Sequence, residues 1–184
     1  MKAMNDIIKY LLALLSLTAT CEGQNREREI IEGRVVKVSD GDTYELMTSN
    51  KTTIRVRMDG IDAPESGMPY SKKATEYLRE LTKGQTIRVE KTGNDQYGRT
   101  LGFSYLPDGR ELGREMIKAG YAWHYKQYNK DKEPAALEKE ARDAKRGLWK
   151  DKSPVAPWDV RKMRRGGNST KELFRESTDE DLKR

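Results

Sequence analysis

The stretch VVKVSDGDTYELMTSNKTTIRVRMDGIDAPE, residues 35–65, decides the fold. Its β-branched and apolar runs are interrupted by an Asp-Gly turn at residues 39–42 and by a second polar turn at residues 48–51. Turns of this kind between β-rich runs are strong hairpin signals, so three consecutive strands predict a meander that curls into a small barrel. In the third run Val56 alternates with Arg57, and we expect the arginine on the face opposite the core.

The chain beyond this stretch adds two strands and three helices to the prediction. Apolar residues recur on one face at helical spacing in three segments, and Pro69 is expected to open the first helix. The predicted class is therefore α+β, a five-stranded β-barrel with three helices in one domain at residues 30–150. The predicted strands lie at residues 86–91 and 100–106, and the predicted helices at residues 70–81, 112–119 and 134–146.

The two ends of the chain differ from this domain. Within residues 1–23, an apolar run at residues 10–19 follows two lysines and precedes Cys21, which is the layout of a secretory signal peptide. The run is shorter than the roughly 20 residues of a membrane span, but an uncleaved anchor and lipid attachment at Cys21 stay open. We expect an exported protein, secreted or periplasmic. A polar spacer is predicted at residues 24–29, and a charged tail, poorly ordered or helical, at residues 151–184.

The composition restricts the chemistry that the chain can perform. The formal net charge is +6, which favours a polyanionic partner such as nucleic acid. Cysteine and histidine occur once each, as Cys21 and His124, and the histidine is expected at the surface. An intrachain disulfide, a Cys/His zinc site and a Cys-His nucleophile pair are excluded. An enzyme built from this chain must therefore work with carboxylates and arginines.

Two aspartates could meet at one end of the predicted barrel. Asp42 lies at the hairpin corner and Asp62 at the end of the third strand. Two carboxylates with a backbone carbonyl and waters suit a hard cation such as Ca²⁺ or Mg²⁺, and Asp40 is near enough for a water-mediated contact. Either aspartate alone would be an ordinary turn residue, so the interpretation depends on the pair.

Arginine and glutamate supply the other groups that phosphate-ester hydrolysis needs. Arg57 and Arg99 stand at junctions of strands and loops, where guanidinium groups can bind the charge that develops on a phosphate. Glu65 follows Pro64 and can take a proton from the attacking water. Each residue alone is typical of a charged surface. Their combination with the aspartates indicates metal-assisted attack on a phosphate ester.

Four motifs occur in an order and spacing that resemble the staphylococcal nuclease (thermonuclease) family. They are DGDT at residues 40–43, RMDGIDAPE at residues 57–65, DQYGR at residues 95–99 and GYA at residues 120–122, and the resemblance covers about residues 30–150. It implies an OB-fold barrel with three helices. It also implies Ca²⁺-dependent hydrolysis of DNA and RNA between phosphorus and the 5′ oxygen, which leaves 3′-phosphate ends.

The resemblance implies a role for each charged motif residue. Asp42, Asp62 and the Ala63 carbonyl would bind the metal, and Glu65 would be the general base. The phosphate would be held by Arg57 and Arg99. The best-known family member has threonine at the position of Ala63, but a backbone oxygen is available from either residue.

The residues expected to contact the substrate match those of the family less closely. Gln96 stands where the family has a lysine, next to Tyr97, which we expect to bind substrate. Tyr125 and Tyr128 are further candidates, and stacking on a base and exposure in a loop are both open for them. The implied partners are DNA and RNA, with the protein acting as a monomer. The alternative function is a noncatalytic nucleic-acid-binding OB-fold module.

Overall fold

The computed structural model describes residues 28–127, 129–167, 169–170 and 174. The predicted signal segment, with Cys21, and the candidate Tyr128 lie outside the described residues. Within them, no helix combines the length and apolar character that crossing a bilayer requires.

The described residues form seven strands and four α-helices. The strands are β1 (Ile30–Val38), β2 (Thr43–Thr48), β3 (Thr53–Met58), β4 (Ile61–Asp62), β5 (Thr86–Asn94), β6 (Thr100–Tyr105) and β7 (Trp123–His124). The helices are α1 (Ser71–Thr82), α2 (Leu112–Lys118), α3 (Lys132–Asp143) and α4 (Pro157–Arg165), and a 3-10 helix spans Gly147–Lys150.

Five of the strands form a closed barrel in the order β1-β2-β3-β6-β5, with β5 pairing back onto β1. All pairs are antiparallel except β3 with β6, where Val56 lies opposite Thr100. Closure leaves no free sheet edge in the barrel. The prediction of an α+β fold with a five-stranded barrel is confirmed.

The core forms because the alternation of the strands and the periodicity of the helices both place apolar side chains on the inward face. In β2 and β3 the inward side chains include Leu46 and Val56, both fully buried. Leu78 of α1 and Ile117 of α2 pack into the same cluster. The Tyr44 and Ser104 hydroxyls hydrogen-bond each other at 2.7 Å inside this core, which satisfies both polar groups.

A two-stranded sheet lies outside the barrel and holds the segment that follows β3. Here β4 pairs antiparallel with β7, so that Asp62 lies opposite Trp123 and Ile61 opposite His124. The pairing buries His124, which is 3% exposed. The expectation of a surface histidine is therefore wrong. Two-residue strands carry no alternation pattern that a sequence could reveal.

Two helix starts differ from the prediction. The first helix begins at Ser71 rather than directly after Pro69, because Tyr70 adopts a left-handed conformation with φ of 64°. The third begins at Lys132, where the Asp131 side chain caps the helix by accepting a hydrogen bond from the Glu133 amide at 3.2 Å.

The C-terminal segment contributes a helix beyond the three predicted from periodicity. Pro157 occupies the first turn of α4, a position that proline favours. Val160 is fully buried in a cluster with Met68 and Phe174. This cluster places α4 next to the loop between β4 and α1.

Substitution of Gly41 by alanine should destabilise the protein, because a Cβ at this position would lie 2.8 Å from Cβ of both Ala63 and Ala74. Relieving that overlap requires movement of the hairpin corner, at a cost of about 1–3 kcal/mol. Urea unfolding measures the loss.

Gly93→Ala is the matched control for this substitution. A Cβ at Gly93 meets no atom of the described residues within 4 Å, so the unfolding midpoint should stay near that of the wild type. Equal midpoints for Gly41→Ala and the wild type would contradict the close packing at the corner.

Candidate functional site

The hairpin corner between β1 and β2 positions the first acidic group. Asp42 is 5% exposed, and its backbone amide donates to Asp40 Oδ1 at 3.1 Å, which tightens the turn. Its Oδ1 accepts from the Thr43 hydroxyl at 2.9 Å, and its Oδ2 accepts from the Ala63 amide at 2.7 Å. The carboxylate of Asp42 thus joins the corner to the segment after β4.

Arg57 lies between the two aspartates predicted to bind a metal. Alternation along β3 directs its side chain away from the core, as predicted, and toward one end of the barrel. Its Nη1 is 3.2 Å from Asp42 Oδ2 and its Nη2 is 3.0 Å from Asp62 Oδ1. Nη1 also donates to the carbonyls of Met58 and Ile61, at 2.9 and 3.0 Å. One guanidinium therefore bridges both carboxylates.

The donor set around these aspartates fits a hard cation that keeps part of its hydration. Asp42 and Asp62 approach the same cation, the Arg57 guanidinium, and Ala63 is held beside Asp42 by its amide. In the ranges that the structure describes, no group of three or more His, Cys, Asp or Glu side chains is placed to hold a metal by itself. Two carboxylates and one carbonyl would leave positions for water or phosphate oxygens, as Ca²⁺ allows.

Burial raises the pKa values of acidic groups at this end of the barrel. Burial raises the pKa of Asp62, which is 1% exposed; the nearby Asp42 adds to the rise, whereas Arg161 and Arg57 oppose it. Burial, with the adjacent Asp42 carboxylate, also raises the pKa of Asp40 to about 7. A bound cation would stabilise the ionised forms of these carboxyl groups.

Glu65 lies in the irregular segment between β4 and α1, and helix α4 contacts both of its carboxylate oxygens. Arg161 Nη1 is 2.8 Å from Oε1, and Arg164 Nη1 is 2.7 Å from Oε2. Arg161 Nη2 also lies 2.6 Å from Asp62 Oδ2. The base candidate and a metal-ligand candidate therefore share one arginine.

Neither Arg161 nor Arg164 was identified from the sequence. Residues 157–165 contain a proline in the first turn and three arginines within one helical stretch, which is a weak signal for a helix with a basic face. The high charge of the surrounding segment masked it.

The other predicted site residues that the structure describes line a cleft next to the aspartates. This cavity of about 420 Å³ is bordered by Arg57, Arg99, Tyr97 and Tyr125. Arg99 is oriented by Asp95, whose Oδ2 lies 2.7 Å from Nε, and its guanidinium carbon lies 5.7 Å from the centre of the Tyr97 ring. Tyr97 is 71% exposed. An exposed aromatic ring beside two arginines can stack on a base while the arginines bind phosphate.

Tyr125 connects this cleft to helix α4. Its ring stacks on Trp158 with centroids 5.2 Å apart and an interplanar angle of 4°. Trp123 meets Trp158 edge-on at 6.5 Å. The aromatic cluster at this edge of the site therefore includes two tryptophans that were not predicted from the sequence, of which Trp123 is buried.

A continuous series of contacts joins the predicted charged residues. Arg99 Nη1 donates to the Thr43 hydroxyl at 3.5 Å, and that hydroxyl donates to Asp42. Arg57 then links Asp42 to Asp62, and Arg161 links Asp62 to Glu65. Groups from four separate parts of the chain are thereby gathered at one end of the barrel.

The sequence is similar to a family of nuclease homologues and to several proteins named as nucleases or endonucleases. Residues 55–151 match the family described as "Staphylococcal nuclease homologue". An "Uncharacterized endonuclease" of Escherichia coli O157:H7 is 48% identical over 155 residues, which cover 84% of this chain and 96% of the relative. A "Micrococcal nuclease" of Shigella flexneri is 40% identical over 140 residues, covering 71% and 80%. A "Staphylococcal-like nuclease CAN1" of Arabidopsis thaliana is 44% identical over 62% of this chain and 35% of its own length.

Replacement of Asp40 by asparagine should change how stability depends on pH. Folding raises the pKa of this carboxyl from 3.8 to about 7. Its protonated form therefore stabilises the folded state at low pH, and this contribution is lost as pH rises toward about 7. Over that interval the free energy of unfolding of the wild type should fall relative to Asp40→Asn, by up to about 1.4 kcal/mol per pH unit.

Urea unfolding of both proteins in the presence of a chelator, from about pH 4 to about pH 8, measures this difference. Parallel stability curves for the two proteins would contradict the raised pKa.

Proposed function

We propose that this chain, which belongs to the staphylococcal nuclease family, is a Ca²⁺-dependent endonuclease that hydrolyses DNA and RNA. The observation that carries the proposal is the continuous series of contacts from Arg99 to Glu65. It brings two acidic metal-ligand candidates, a base and two arginines to the same end of the barrel. Relatives covered over most of their length by this chain bear the names endonuclease and micrococcal nuclease.

Nucleic acid fits the charge and shape of the cleft. The net charge of +6 attracts a polyanion before any specific contact forms. At the cleft, Arg57 and Arg99 can each bind phosphate oxygens in a bidentate manner. Tyr97 offers an exposed ring to an unstacked base, and Tyr125 borders the same cavity. Stacking of this kind tolerates any base and either sugar, which suits an enzyme acting on both DNA and RNA.

The metal would be held by the carboxylates of Asp42 and Asp62 and by the carbonyl of Ala63. When bound, Ca²⁺ would polarise the phosphoryl oxygens and neutralise part of their charge. Asp42 would hold the metal from a fixed position, because hydrogen bonds from the Thr43 hydroxyl and the Ala63 amide hold both of its carboxylate oxygens.

The remaining chemistry belongs to the side chains of this chain. Glu65 takes a proton from water, and the water oxygen forms the new bond to phosphorus as the bond to the 5′ oxygen breaks. Arg57 and Arg99 bind the negative charge that accumulates on the phosphoryl oxygens in the transition state. The departing 5′ oxygen takes a proton from solvent and Glu65 returns its proton to solvent, so that the products are a 3′-phosphate end and a 5′-hydroxyl end.

The protein would act outside the cytoplasm. Residues 1–23 have the composition of a secretory signal, and the protein would act in the periplasm or the medium, or at the envelope if Cys21 carries lipid. It would act as a monomer without an obligate protein partner. Mass spectrometry of the mature N-terminus distinguishes an acylated Cys21 from a free residue downstream.

Loss of the base or of a phosphate-binding arginine should nearly abolish activity. Glu65→Gln removes the proton acceptor and Arg57→Ala removes a donor to the transition state, so each should lower kcat by about 10²- to 10³-fold. Cleavage of single-stranded DNA and RNA by the purified protein with Ca²⁺ provides the measurement.

Arg55→Ala is the matched control for Arg57→Ala. Arg55 lies on the same strand but is exposed, two residues farther from the aspartates, and its replacement should leave kcat close to that of the wild type. Full activity in both Glu65→Gln and Arg57→Ala would refute the proposed mechanism. A gel shift with nucleic acid but no cleavage in Ca²⁺ would instead support the noncatalytic binding module.

Removal of divalent cations should slow cleavage sharply, because no metal would then polarise the phosphoryl oxygens beside Asp42 and Asp62. A chelator should reduce the rate of the wild type to that of Glu65→Gln, and excess Ca²⁺ should restore it. Cleavage that continues unchanged in the chelator would exclude Ca²⁺ dependence.

A further inference from the structure

We propose that Arg161 is a positioning residue for the hydrolysis, with its guanidinium fixing Glu65 beside the metal-ligand candidate Asp62. The inference rests on the proposed nuclease function. It assigns a catalytic contribution to helix α4, which lies beyond the residues matched by the family comparison.

The geometry places one rigid group between two carboxylates of different function. Arg161 Nη1 is 2.8 Å from Glu65 Oε1, and Arg161 Nη2 is 2.6 Å from Asp62 Oδ2. Nη1 also lies 3.3 Å from Asp62 Oδ1. Because a guanidinium is planar and its nitrogens are held at fixed angles, it sets the separation of the two carboxylates.

Glu65 needs such a tether because its own backbone provides little rigidity. The residue lies between β4 and α1 in a segment with neither strand nor helix. Its side chain has several rotatable bonds and is 28% exposed. A base that samples many rotamers is aligned with the attacking water only part of the time, and a misplacement of about 1 Å can cost about 10²-fold in rate.

Arg161 can act as a fixed point because the turn of α4 that precedes it is anchored at two residues. Val160 is fully buried against Met68 and Phe174. Trp158 stacks on Tyr125 at the edge of the substrate cleft. This apolar and aromatic packing makes the helix part of the domain rather than a surface segment that leaves when substrate arrives.

The two arginines that contact Glu65 differ in their surroundings. Arg161 is bound to the buried Asp62, whereas Arg164 approaches Oε2 from the exposed side and also contacts the Thr170 hydroxyl and the Ser66 carbonyl. Oε1 therefore keeps its partner through the reaction. Oε2 is the oxygen that exchanges Arg164 for the attacking water and receives its proton.

The test compares Arg161→Ala and Arg161→Lys with the wild type, all as the full chain. Three quantities are measured: kcat at saturating Ca²⁺, the Ca²⁺ dissociation constant by titration calorimetry, and the thermal midpoint of unfolding. Loss of the tether should lower kcat of Arg161→Ala by about 10²-fold. Ca²⁺ binding should be unchanged or several-fold tighter, because a cation has been removed from Asp62. Arg161→Lys should recover no more than about tenfold of the lost rate, since one ammonium cannot span both carboxylates in the same geometry.

Arg165→Ala on the same helix is the matched control. Its side chain is exposed, and its removal should leave kcat, Ca²⁺ binding and the thermal midpoint unchanged. If Arg161→Ala does not fold at the assay temperature, Arg161→Lys carries the test, because it keeps the positive charge beside Asp62 but loses the bridge.

Each result that would contradict the positioning role of Arg161 has its own interpretation. A higher kcat in Arg161→Ala or Arg161→Lys would show that Arg161 blocks the site, and an unchanged kcat would show that it has no role. Weaker Ca²⁺ binding with a lower thermal midpoint and a matching loss of kcat would reduce Arg161 to structural support. An inactive wild type in the same assay would contradict the proposed function itself.

Discussion

The carboxylate of Asp42, buried at the first hairpin corner, is the constraint on which the rest of the site depends. Its Oδ2 accepts the Ala63 amide at 2.7 Å, which ties the segment after β4 to the corner between β1 and β2. A buried carboxylate is tolerated only where hydrogen bonds and an opposite charge compensate for lost hydration. The amide of Ala63, the hydroxyl of Thr43 and the guanidinium of Arg57 provide that compensation. The position of Arg57 is thus a requirement of folding.

From this group outward, acidic and basic side chains alternate: Asp42, Arg57, Asp62, Arg161 and Glu65. Each internal member has charged partners on both sides, so the removal of one leaves two neighbours incompletely compensated. Energies in such a network are not additive, and the effect of a double substitution will differ from the sum of its single substitutions.

Much of the barrel and of the charged site follows from local sequence rules. The Asp-Gly corner placed Asp42, and the alternation of β3 placed Arg57, because both are decided by residues within a few positions of each other. Contacts across the chain were not predictable in this way. His124 is buried by a two-residue pairing with β4, and Arg161 finds its partners 96 and 99 residues earlier. In α4 the few apolar residues are surrounded by charge, so composition concealed a helix whose stability comes from packing.

The position of α4 near the end of the chain has a consequence for the order of assembly during synthesis. The last barrel strand ends at Tyr105, whereas Arg161 is made more than fifty residues later. The barrel strands are therefore complete in the growing chain before the arginines that bind Asp62 and Glu65 have been added. The ion pairs of Asp62 and Glu65 with α4 can form only after these later residues have been made. A chain that has folded its barrel still lacks these ion pairs until α4 has packed against it.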